Sequence, residues 1–304
     1  MTTISFFNST VQPKQHVSIC AYQKMADALR NLGYGVKHIT PDYDIIEQFS
    51  MFDVVIIPQV WYGDMRKAYK ELPNIWKEIH DVNGTKIIHF IVNGRKKYFG
   101  CHQKFLTENA DAIWCAANFL SPFKQPAWYT PSGCWAEPVA TLHGSKRLDS
   151  NHVLAPLGRG KRDAFRVKAL AQYATEHPHL KIHLTGAASE WRGIELPPNV
   201  RFIYFPDVSA FGLYRYVLEC ASSWSVKMQP YTHWSDRVTF AVSFGSQLIT
   251  NYQPTLDAFK SAIPFSVKEY PEEVNIEHIL FDRNRWSWEN ILKNPVKETL
   301  EKIL

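Results

Sequence analysis

Short β-rich apolar runs alternate with amphipathic stretches along the first half of the chain. ISFF near the start, GVKHIT from Gly35, DVVIIP from Asp53, KIIHFIV from Lys86 and AIWCA from Ala112 are short, mostly apolar and rich in β-branched or aromatic residues. Runs of that kind predict buried parallel strands. Between them, helix-like spacing covers residues 18–32, closing on Gly33, residues 64–80, closing near Asn83 and Gly84, and a shorter piece at 102–109. Strand, helix, strand in that rhythm predicts a doubly wound α/β domain.

A stretch rich in proline, glycine and serine at residues 128–151 interrupts the pattern, which restarts at HVLAPLG from His152. The second half then reads as a helix over 162–176, strands at KIHLTG from Lys181 and VRFIYFP from Val200, and a helix over 209–221. A strand at SVKMQP from Ser225, a helix within 235–244 and a strand at QLITNY from Gln247 follow. The expected architecture is two Rossmann-like doubly wound α/β domains facing a cleft. The first covers 1–135, a linker covers 136–151, and the second covers 152–285. A closing helical segment at 286–304 has no strand after it and is expected to pack back on the first domain. No short-period repeat or low-complexity tract is present.

With 45% hydrophobic and 21% charged residues, disorder and collagen-like fibres are excluded. The formal charge of +5 admits a polyanionic partner without demanding one. Aromatic residues make up 14% of the chain, and the share of tryptophan and tyrosine hints at stacking surfaces beyond the needs of a core. Five cysteines without a CxxC spacing argue against a disulfide framework or a zinc ribbon and fit a reducing compartment. No secretory leader and no membrane-length apolar run is recognisable, so a cytoplasmic protein without a membrane partner is expected.

In open parallel sheets ligands bind at the carboxyl ends of the strands, so the chemistry is sought in the loops that follow them. After HVLAPLG comes RGKR, where Gly158 and Gly160 let backbone approach a ligand while Arg159, Lys161 and Arg162 bring positive charge beside a helix start. That combination suits a diphosphate, and it equally describes a solvated basic turn. In the first domain, QVWYGDM carries Trp61, Tyr62 and Asp64, and NGRKKYFG carries Arg95, Lys96, Lys97 and Tyr98 beside Phe99. Cations near exposed aromatics can meet phosphates and stack a base drawn out of a duplex; the alternative is a solvated turn beside buried rings. Asp64 reads either as a general base in an aromatic setting or as a helix N-cap. His16 and His102 are weaker base candidates. No HExxH occurs and HPH at 177–179 falls at a predicted helix end, so no metal is expected.

The order of these features resembles the GT-B glycosyltransferases. The shared points are MADALRNLGYGVKHIT as first helix and second strand, the glycine-basic loop opening the second domain, the LTG strand end at Gly186, and the polar segment YTHWSDR leading into TFAVSFG and QLITNY. What the resemblance implies is transfer of a sugar from a nucleotide-sugar donor, a UDP-sugar, with no tightly bound cofactor. The donor would be held by Gly158, Arg159, Gly160, Lys161, Gly186, His233, Ser235, Asp236 and Arg237. Arg159 and Lys161 would stabilise the departing diphosphate and Asp64 would take the acceptor proton if the reaction inverts configuration. Retaining members commonly carry two glutamates that, counted back from Gly245, fall on Thr232 and Phe240 here, so that pair is missing and Asp236 is the local carboxylate. Asp236 reads equally as an ordinary helix-start residue, with Ser235 as the cap. Size, basic balance and the lack of a membrane-docking helix resemble phage-encoded enzymes that decorate hydroxymethylated DNA bases. This implies a DNA acceptor, met by Trp61, Tyr62, Arg95, Lys96, Lys97 and Tyr98, in a host cytoplasm. A glycan or small-molecule acceptor and a noncatalytic nucleotide-sugar-binding protein are the alternatives.

Overall fold

A computed structural model describes residues 2–7, 17–41, 44–59, 63–92, 104–118, 120–121, 123–134, 147–158, 160–204, 208–223 and 234–304. The chain divides into two compact units, Met1–Gly133 together with Trp288–Leu304, and Cys134–Ser287.

The first unit is built on six parallel strands in the order β2-β1-β3-β4-β5-β6. They are β1 (Thr3–Phe7), β2 (Gly35–Ile39), β3 (Val54–Pro58), β4 (Lys86–Ile91), β5 (Ala112–Cys115) and β6 (Ala127–Tyr129). Every residue of β3 is buried, as a strand covered on both faces requires. Helices α1 (Val17–Asn31) and α2 (Ile45–Ser50) follow β1 and β2; α3 (Gly63–Trp76) follows β3 and continues as a wider turn over Lys77–Val82; α4 (Lys104–Asn109) precedes β5. Phe7 meets Phe49 of α2 edge to face on one side of the sheet. On the other side, Phe90 packs on Trp288, and the Trp114 indole donates to the Thr299 hydroxyl at 2.8 Å. Those partners belong to the last helix, α10 (Trp288–Ile303), whose chain thus returns to the first sheet. Burying a ring of this size stabilises by roughly 1.5–3 kcal/mol.

The second unit repeats the plan, with strand order β12-β11-β10-β7-β8-β9, all parallel. Its strands are β7 (His152–Pro156), β8 (Lys181–Thr185), β9 (Val200–Phe202), β10 (Tyr216–Glu219), β11 (Gln247–Thr250) and β12 (Ala262–Pro264). Its helices are α5 (Ala164–Glu176), α6 (Ala188–Trp191), α7 (Asp236–Ser243), α8 (Gln253–Ala258) and α9 (Ile276–Arg285). Val153, Ala155, Leu170, Tyr173, Ile182, Leu184, Tyr216 and Leu218 form the core between α5 and the sheet. Gly245 closes α7 at φ +77°, and the Arg147 guanidinium donates to the Phe244 and Gly245 carbonyls at 3.1 and 2.7 Å.

Two expectations from the sequence are corrected. The helix expected over 209–221 is a short 3₁₀ turn (Val208–Leu213) followed by strand β10, which occupies the slot between β7 and β11. Tyr216, Val217 and Leu218 are all buried, and a four-residue strand buried on both faces shows no alternation to separate it from a helix face. The strand expected at 225–230 lies outside the described residues. The proline-rich stretch also begins later than its composition indicates, because Trp128 and Tyr129 belong to β6, paired with Trp114 and Cys115.

Candidate functional site

At the carboxyl end of the second sheet, the loop from β7 to α5 lies between two neighbouring segments. On one side it is fastened to α6: the Lys161 amide donates to the Glu190 carbonyl at 2.8 Å, and the Trp191 indole donates to the Leu157 carbonyl at 2.9 Å. A Cβ on Gly160 would come within 2.5 Å of that Glu190 carbonyl and 2.8 Å of the Trp191 ring, so glycine is what lets the loop close on α6. Gly186, just after β8, meets the Leu157 carbonyl in the same way, and its Cβ position is 3.3 Å from the Gly158 Cα. The glycines of this region therefore allow backbone to pack on backbone. Of the three cations of RGKR, Arg162 pairs with Glu190 at 3.0 Å, Lys161 is exposed, and Arg159 lies outside the described residues.

On the other side, Arg237 in the first turn of α7 reaches across to the loop. Its Nη2 is 2.6 Å from where a Gly158 Cβ would stand, so the guanidinium rests against the bare Cα of that glycine. Asp236 and Ser235 sit beside it, both partly buried; Ser235 occupies the cap position, yet its side chain makes no capping hydrogen bond. His233 lies outside the described residues. Phe240, five residues before Gly245, is buried and packs toward Phe211.

The start of α5 differs from the expected open helix N-terminus. Asp163, which is buried, caps it by accepting from the Arg166 amide at 3.4 Å, and the same oxygen accepts from the Ser223 amide at 3.1 Å. A carboxylate at that position repels an anion, so positive charge here comes from side chains rather than from the α5 helix dipole. Asp163 also joins a set that fixes the segment after β10: the Arg166 guanidinium donates to the Cys220 carbonyl (3.2 Å), and Asn251 accepts from the Ala221 amide (2.7 Å).

Glu219 ends β10 within this set and was not singled out from the sequence. The Thr250 hydroxyl donates to it at 2.9 Å. Burial raises its pKa, while that hydrogen bond, the nearby Thr255 and the charges of Arg166 and Arg237 act in the opposite sense. A carboxylate that burial disfavours, with two arginine charges near enough to act on it, can help to orient a guanidinium. The signal in the sequence was the acidic residue closing the apolar run YVLE.

In the first unit, Trp61, Tyr62, Arg95, Lys96, Lys97 and Tyr98 lie outside the described residues. Asp64 is the second residue of α3, inside the helix rather than at its cap. His16 and His102 are outside the described residues as well. Among the described residues no group of three or more His, Cys, Asp or Glu side chains is gathered closely enough to hold a metal ion. No helix among them is long and apolar enough to cross a membrane.

Two six-stranded parallel sheets, each wrapped by helices, with glycine-dependent loops at the carboxyl ends of the second, define the GT-B fold. Among solved structures, the chain is similar to an alpha-glucosyltransferase in complex with UDP-glucose and DNA containing an abasic site. That match has a TM-score of 0.59 and 11% identity, over 99% of both chains. An alpha-glucosyltransferase with UDP and a 13-mer DNA carrying an A:G mismatch matches at TM-score 0.56 and 11% identity, over 100% of this chain and 90% of that one. One with UDP and DNA containing a HMU base matches at TM-score 0.55 and 11% identity, over 99% of both. No protein-family model and no curated protein matches the chain in sequence.

Proposed function

We propose that this protein is a glycosyltransferase that moves a sugar from a UDP-sugar onto a hydroxymethylated base of DNA. The observation that carries the donor half is the Arg237 guanidinium resting on the bare backbone of Gly158, in a loop that also carries the exposed Lys161. A diphosphate laid along Gly158 and Gly160 would meet Arg237, Lys161 and Arg159, and Asp236 with Ser235 and His233 would hold sugar hydroxyls near Gly186. As the nucleoside diphosphate departs, negative charge grows on its terminal phosphate. Fixed cations at that point lower the barrier without a bound metal. The acceptor half is supported by the fold shared with glucosyltransferases solved with DNA. Arg95, Lys96 and Lys97 would meet the backbone, Trp61, Tyr62 and Tyr98 would stack the extruded base, and Asp64 would accept its hydroxymethyl proton if configuration inverts.

The test is release of UDP from a panel of UDP-sugars, followed with hydroxymethylated DNA, unmodified DNA and free saccharides in parallel. Release stimulated by hydroxymethylated DNA alone supports the reading. Stimulation by saccharides alone removes the DNA acceptor and keeps the transferase. One observation favours a second reading, a noncatalytic donor-binding protein: the buried Phe240 leaves no carboxylate where retaining relatives carry one. Tight UDP-sugar binding with no release under any condition would establish it.

A further inference from the structure

Away from the donor loops, the β8–β9 edge of the second sheet carries two exposed cations, Lys181 and Arg201, beside two histidines. Parallel strands in register place paired residues on one face. Lys181 pairs with His152, and His183 pairs with Arg201, so all four share the face opposite the α5 core. The His152 and His183 rings are 5.4 Å apart. Lys181 and Arg201 are exposed, and neither forms an ion pair among the described residues. The Tyr214 hydroxyl shares a hydrogen bond with His183 Nδ1 at 2.7 Å and fixes that ring. Burial lowers the pKa of His183, and the other contributions, from His152, Arg201 and Lys181, lower it further, so the charge around the ring is of one sign. Just beyond β9, at the open edge of the sheet, Tyr204 is 84% exposed.

We infer that this edge is a second nucleic-acid contact, in which Lys181 and Arg201 meet phosphates of a DNA strand beside His183 and His152. The inference rests on the reading that the acceptor is DNA. Lys181 and His183 share one face of β8 and Arg201 stands opposite His183 on β9, so the two cations are diagonal neighbours on adjacent strands, fixed by the sheet at a spacing of roughly 8 Å that suits a polyanion. A membrane surface would instead call for an amphipathic basic helix, and this edge is a strand. The contact makes no demand on base identity, so it adds affinity and salt dependence rather than sequence preference.

The experiment is a salt titration of binding to an unmodified duplex by the whole protein, comparing wild type with Lys181→Glu/Arg201→Glu and the milder Lys181→Gln/Arg201→Gln. Each phosphate contact contributes a slope of about 0.9 in log K against log salt, so losing two should flatten the slope by about 1.8. The charge-retaining Lys181→Arg/Arg201→Lys should keep it. UDP affinity, read at the distant loops, should be unchanged in all variants and serves as the folding control. A wild-type slope retained in both charge-removing variants overturns this contact, even where sugar transfer to DNA occurs. A slope lost in the variants of a protein that transfers nothing to DNA upholds the contact and removes the acceptor reading. Loss of binding to phosphatidylserine vesicles with duplex binding intact would overturn it in favour of a membrane.

Discussion

Gly158→Ala isolates the contact on which the donor reading depends. Gly158 has no positive φ, so alanine fits its backbone. The added methyl would stand 2.6 Å from Arg237 Nη2, 3.4 Å from Cζ and 3.8 Å from Nη1. Carbon prefers about 3.5–4 Å from such neighbours, so the guanidinium must retreat by about 1 Å. It is the far end of a flexible side chain, and the fold should lose no more than about 0.5 kcal/mol. The donor loses more. A charge-assisted hydrogen bond contributes about 1.5–3 kcal/mol, so displacing it should weaken UDP binding by about 10- to 150-fold. Titration calorimetry with UDP, beside thermal unfolding of the same samples, reads both quantities. Arg237→Ala should give a similar loss, and Gly158→Ala added to it should give almost none, because the two changes remove one interaction. Unchanged UDP affinity in Gly158→Ala, or full additivity in the double variant, would refute the assignment of Arg237 to the diphosphate.

Gly186→Ala should behave oppositely: its Cβ meets the Leu157 carbonyl and the Gly158 Cα, which cannot swing aside, so a stability loss of about 1–3 kcal/mol should show as a lower melting temperature along with weaker UDP binding. Glu219→Gln removes a carboxylate whose pKa burial raises, so stability at neutral pH should hold or rise. If Glu219 orients Arg237, UDP affinity should fall all the same, and an unchanged affinity would remove that role. His80→Gln addresses the first unit. Burial alone would lower the pKa of His80, but hydrogen bonds to Asp81 (2.9 Å) and Asp111 (3.1 Å) outweigh it and raise the pKa above 6.5. A raised histidine stabilises the fold fully below its unfolded pKa, and the effect fades as pH climbs through the folded one. The melting-temperature gap between wild type and His80→Gln should therefore be widest below about pH 6 and shrink toward pH 8; a gap that widens with pH would contradict the pairing.

The fold was legible because most strands are apolar runs separated by helices with recognisable ends. KIIHFIV and DVVIIP became β4 and β3 with shifts of a residue at most at either end. Tyr216–Glu219 was misread because its burial on both faces removes the period that tells strand from helix. The short β12 and the separate helix α9 carry too few residues, or too mixed a pattern, to stand out. At the site, residue types and loop order could be read from the sequence, but contacts between distant segments could not. Only the fold brings Arg237 from α7 onto Gly158, and nothing in the local sequence marks Asp163 as the residue whose oxygen joins the Arg166 and Ser223 amides. Which cation meets which backbone is settled by tertiary packing, to which no local spacing rule applies.

The central claim, sugar transfer to a modified DNA base, is tested most directly by mass analysis of nucleosides after incubation. Hydroxymethylated duplex, a panel of UDP-sugars and the protein are combined, and the DNA is digested to nucleosides. The account predicts a hydroxymethylated nucleoside heavier by one glycosyl unit with one of the donors, and no such product when UDP-sugar is omitted or unmodified duplex is supplied. Hydroxymethylated nucleosides recovered unchanged with every donor, while the same preparation glycosylates a saccharide or small molecule, would contradict it.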